Sequence, residues 1–203
     1  MKRNTWLIMM FALFLIGSMV VVGQTSAAEK NNFSGTDTFY PDQLFPPGAG
    51  TIISFPTITC PGTEPLDPPP VDPTLSPCPE GSRTNTRGYI IETRFETDSD
   101  LVTGYATISV NANFDADSNG PLWGTISIKP NAVEGTWDGT WAGMREKEGE
   151  DIWVITVHAS LQGHGGSVDG MLYRAVDTIF AYTPTVLFYD GILEGWILDP
   201  HSK

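Results

Sequence analysis

Basic residues, histidine and cysteine are scarce in this chain: eleven Lys and Arg against twenty-four Asp and Glu, with three His and two Cys in 203 residues. Each shortage removes a class of function. A formal charge of −13 repels phosphate backbones and anionic lipid heads, so nucleic acid and membrane-surface partners are excluded. The sequence has no CxxC pair, no histidine cluster at ligand spacing and no glycine-rich phosphate loop, so neither a cofactor nor a metal centre is expected. Downstream of residue 28 there is also no convincing amphipathic helix.

What is present begins with an address. Lys2 and Arg3 precede an apolar run from Trp6 to Gly23, followed by the small residues Thr25-Ser26-Ala27-Ala28. This layout predicts a signal peptide over residues 1–28 and a secreted, extracellular protein with no membrane contact after cleavage. An uncleaved N-terminal anchor is the alternative. In an exported chain an even cysteine count favours a disulfide between Cys60 and Cys78. The loop it closes, CPGTEPLDPPPVDPTLSPC, holds too many prolines for helix or ladder. Residues 60–80 therefore read as a stapled proline-rich insertion between strands, in preference to a recognition segment. Asn32-Phe33-Ser34 is a glycosylation sequon, relevant only in a host that glycosylates.

The rest of the chain alternates. GTWDGTWAG (135–143) puts glycine or tryptophan at every odd position, which is a strand with one aromatic and glycine face. In LVTGYATISVNANFD the apolar set is Val102, Ala106, Ile108, Val110, Ala112 and Phe114; DADSNGP supplies a turn, and Leu122, Gly124, Ile126 and Ile128 complete a hairpin. After a charged turn, REKEGED, the residues Trp153, Ile155, Val157, Ala159 and Leu161 share a face. MLYRAVDTIFAY and VLFYDGILEGWIL add two strands, and GTIISFPTIT and GYIIETRFETD two more upstream. Counting from Gly50 gives about eight strands, with residues 29–49 as an N-terminal extension and 50–200 as one domain. Closing eight antiparallel strands into a barrel removes both unpaired edges, so an all-β, eight-stranded antiparallel closed barrel is expected. Glycines alternating with large rings let its strands curve while rings from neighbouring strands cover the gaps.

The segments NANFDADSNGPLWGTISI, GTWDGTWAGMRE, HASLQGHGGSVDGMLYRAVD and GILEGWILDP resemble the bacterial secreted proteins with an allene oxide cyclase-like barrel, a fold related to dirigent proteins. The similarity spans roughly residues 86–200, with 50–60 as a plausible first strand and the proline loop as an insertion. It implies an eight-stranded antiparallel barrel. It assigns no catalytic residue to any matched position.

Several constellations could carry chemistry. His158 and His164, with Ser160 and Gln162 between them, share the polar face of one strand, but no acid partner is fixed by spacing and surface residues are the better account. Asp115, Asp117 and Asn119, with Gly120, are spaced like calcium ligands, yet Ile126 stands where a bidentate glutamate is needed, so a hairpin turn fits better. Glu92, Arg94 and Glu96 share a face, as do Asp190 and Glu194. The first set reads as solvated charge, because Tyr89, Ile91 and Phe95 claim the buried face.

Two functions follow. The first is a noncatalytic module that binds a small apolar or aromatic molecule, or an extracellular protein, through Trp123, Trp137, Trp141 and Trp153, with Trp196 as a further candidate. Core packing is the ordinary role of such residues. The second, implied by the resemblance alone, is an isomerase or cyclase acting on an oxidised lipid. It requires an elongated apolar cavity with at least one buried carboxylate.

Overall fold

The computed structural model describes residues 28–42, 49–67, 76–150, 152–182 and 188–202. The expected signal peptide and the middle of the proline-rich loop lie outside the described residues. The described residues form ten strands: β1 (Glu29–Phe39), β2 (Gly50–Ser54), β3 (Thr57–Thr59), β4 (Thr84–Thr97), β5 (Gly104–Phe114), β6 (Gly120–Pro130), β7 (Thr136–Lys147), β8 (Trp153–His164), β9 (Leu172–Ala181) and β10 (Tyr189–Asp199). Eight of them form an antiparallel ring in the order β1-β10-β9-β8-β7-β6-β5-β4, closed by pairing of β1 with β4. The remaining two, β2 and β3, also pair with β4.

The closed barrel is therefore as expected, but its membership differs. Residues 29–39, set aside with the N-terminal extension, supply a ring strand that pairs with β10 along its whole length. Residues 50–59, expected as the first strand, lie off the ring. The long edge of β4 is shared in succession: Arg94–Thr97 faces β1, Ile90–Thr93 faces β2 and Asn85–Arg87 faces β3. A second difference concerns REKEGED, which was expected as a turn. Its first three residues extend β7, and Arg145 points inward and is fully buried between Phe114 and Trp153, its guanidinium 4.9 Å and 4.5 Å from their ring centres. Burial lowers its pKa to about 9, and the two aromatic faces offset part of that desolvation.

The alternation of the strands produces the core directly. Phe33, Ile91, Ile108, Ile126, Trp137, Ile155, Tyr173 and Leu193 are among the buried inward residues, and the outward set is largely polar. Gly124 shows why glycine and tryptophan alternate across strands. It faces Trp141 in the β6–β7 register, and a Cβ there would run into the Ser109 carbonyl oxygen. The Trp141 ring covers the gap and donates its Nε1 hydrogen to that same oxygen at 3.1 Å. Trp137 likewise donates to the Leu101 carbonyl at 2.7 Å. Cys60 and Cys78 form the expected disulfide, with Cα atoms 5.5 Å apart. The bridge ties the chain just beyond β3 to the segment that leads into β4.

Candidate functional site

The barrel is not solid. All eight ring strands contribute to one interior cavity, in which about 70 Å³ is open to the centres of water-sized spheres. That is room for roughly five waters or a slender apolar group. Its walls are mainly aliphatic and aromatic, with Ile91, Ile108, Ile126, Trp141, Val157 and Leu193 among them. Polarity is concentrated where β4, β1, β10 and β9 lie side by side. There β1 contributes Asp37, β9 contributes Asp177 and Tyr173, β10 contributes Tyr189, and β4 contributes Thr93.

Both aspartates are buried, and both line the cavity. Their carboxyl groups interact across β10, and Gly191 is what lets them approach. It sits opposite Asp37 in the β1–β10 register, and a Cβ on it would stand 2.7 Å from Asp177 Oδ1. The two carboxyl groups have different surroundings. Asp37 is held at both oxygens: the Thr93 hydroxyl lies 2.5 Å from Oδ1 and the Tyr189 hydroxyl donates to Oδ2 at 2.9 Å. Among the described residues, Asp177 Oδ1 has no hydrogen-bond partner.

This asymmetry apportions the proton. Burial raises the Asp37 pKa to about 6, with the hydrogen bonds from Thr93, Tyr189 and Asp177 working against that rise. Asp177 is pushed well above the usual carboxylate range by burial first, then by the charge of Asp37 and the hydrogen bond between them. Two carboxyls in contact in an apolar medium cannot both ionise, so they titrate as a pair that holds one proton near neutrality. Asp37, which accepts hydrogen bonds at both oxygens, carries the charge and Asp177 the proton. The neighbouring phenols Tyr173 and Tyr189 stay protonated, their pKa values raised by burial and then by the aspartates. Phe33 stacks on Tyr173 with ring centres 5.2 Å apart, and Trp137 packs against it at 5.8 Å.

The residues singled out from the sequence are spread over different environments. Of the tryptophans, Trp141 lines the cavity; Trp137 and Trp153 are buried in the core; Trp123 is on the outer face beneath Arg87, whose guanidinium lies 5.2 Å from its ring. Trp196 is also outside, under Lys30. His158 and His164 are exposed on the outside of β8. Arg94 and Glu96 form an exposed ion pair at 2.7 Å, with Glu92 on the same outer face. Asp190 lies half-buried on the outside and accepts a hydrogen bond from Tyr40 at 2.7 Å, while Glu194 is exposed. In the DADSNG turn Asp115 Oδ1 accepts from the backbone of Asp117 and Asn119, both at 2.9 Å, so its carboxylate caps the turn.

Sequence reasoning did not single out the acid pair. Asp177 lay in a recognised strand, on the face of Tyr173, Ala175 and Ile179, where one charged residue in an apolar series was an available signal. Asp37 lay in a segment not assigned as a strand. No protein-family model matches the chain, and no curated protein and no solved structure is significantly similar to it.

Proposed function

We propose that the barrel is a binding module for a small, elongated apolar molecule, held inside the ring with its polar end at Asp37 and Asp177. The observation that carries this reading is the combination of an apolar interior cavity with one polar corner containing a buried hydrogen-bonding atom that the protein leaves without a partner. Apolar walls with a few placed polar groups are the general character of small-molecule sites. The neutral fluorophore N-phenylnaphthylamine tests it. The protein is expected to enhance its emission, and Ala159→Phe, which fills the cavity from β8, is expected to abolish the enhancement. Equal enhancement by both proteins would locate the dye outside the barrel and end this reading.

A second reading is favoured by the acid pair itself. A protonated and an ionised carboxyl side by side can give a proton to one atom of a bound molecule and take one from another. That is the equipment of an isomerase or cyclase, in line with the resemblance to allene oxide cyclase-like barrels and an oxidised lipid as substrate. Asp177 would serve as the acid and Asp37 as the base. Isomers share a mass but separate on chromatography. Molecules that co-purify with the wild type and with Asp177→Asn should then elute differently, whereas one common species in both would remove the enzymatic reading.

A further inference from the structure

We infer that the cavity selects a neutral amphiphile ending in a hydroxyl group and refuses the corresponding carboxylate. This deepens the binding reading above and rests on it. Its first support is the charge of the lining. Among the described residues that line the cavity, two carry carboxyl groups and none is Lys, Arg or His. An anionic head would enter a dry compartment that already holds negative charge, and the inward Arg145 is not among its lining residues, being held between Phe114 and Trp153.

The second support is a set of three buried polar atoms without partners among the described residues, all on cavity-lining residues: Asp177 Oδ1, Tyr173 Oη and Tyr89 Oη. Their residues are no more than 7% exposed. Buried polar groups are nearly always satisfied, so three orphans around one cavity point to an occupant that hydrogen-bonds. A carboxyl oxygen can accept, so Asp177 Oδ1 is matched by a donor on the ligand. A hydroxyl provides one.

An ammonium group would donate as well, but it needs several acceptors when it leaves water. Both oxygens of Asp37 are already engaged by Thr93 and Tyr189, which leaves Asp177 Oδ1 and the Tyr173 hydroxyl oxygen at this corner, fewer acceptors than the three donors of an ammonium need. Tyr89 lies four residues along β4 from Thr93, a run of about 13 Å in an extended strand. A second oxygen farther along the chain of the ligand would therefore meet its hydroxyl.

Calorimetric titration of the folded protein at neutral pH with octanol, octylamine and octanoate separates the possibilities. Octanol is expected to bind at least about tenfold more tightly than octanoate, a difference of about 1.4 kcal/mol or more. In the double variant Asp37→Asn, Asp177→Asn the two should approach parity. Octanoate binding as tightly as octanol to the wild type would overturn the inference while leaving the binding module standing. Octylamine binding most tightly would overturn it in favour of a cation site. Heat from none of the three, together with a silent fluorophore, would take down the binding reading as well.

Discussion

Burying the Asp177 carboxyl costs the fold stability. Its pKa is raised in the folded state, so folding takes up a proton over the interval above the ordinary carboxylate value. The stability it allows is complete at acid pH and declines as pH rises through that interval, opposite to a salt-bridged aspartate. Asp177→Asn removes the ionisable group while keeping its shape. At pH 7.5 this variant should be more stable than the wild type and melt at a higher temperature. Near pH 4 the gain should vanish. Thermal melts across that range check the sign, and a variant less stable than the wild type at pH 7.5 would mean that the carboxyl is structural.

At the scale of the strand, the same polarity decided what could be read from sequence. β5, β7 and β8 announce themselves because their inward faces are uniformly apolar, aromatic or glycine over most of their length. β1 does not. Its inward positions run Phe33, Gly35, Asp37 and Phe39, so two of four lack an apolar side chain. Gly35 is there because a Cβ would strike the backbone of β4 at Glu96 and Thr97, and Asp37 because it belongs to the candidate site. The features that bring β1 close to β4 and furnish the acid thus hid the strand from a test based on hydrophobic alternation. Arg145 was obscured in a related way, since a charged residue at the end of a strand reads as the start of a turn until two aromatic rings are found around it. The tryptophan face, by contrast, was legible as a strand, but alternation could not distinguish a cavity wall, where Trp141 lies, from plain core, where Trp137 lies.

For the molecule as a whole, the ring makes the N-terminal strand indispensable. β1 covers β10 with eleven paired positions and reaches β4 with four. A chain beginning at Gly50, at the expected domain boundary, would leave the edge of β10 unpaired and uncover Tyr173, Leu193 and Tyr189. Such a chain is expected to aggregate or to melt without cooperativity, while one beginning at Ala28 melts as a single unit. Circular dichroism with size-exclusion chromatography checks this. A soluble, cooperative fragment from Gly50 would mean that β2 can replace β1 in the ring.

The join between β1 and β4 has four residue pairs, Gly35 to Thr38 against Thr97 to Arg94, and it is the shortest in the ring. Asp37 stands within it, and Thr93 flanks it. The stretch of wall with the fewest hydrogen bonds to release is thus the stretch that bears Asp37, one half of the acid pair. A guest passing through that stretch would meet its anchor at the threshold, so one small patch would govern both how fast the barrel fills and how long it stays filled.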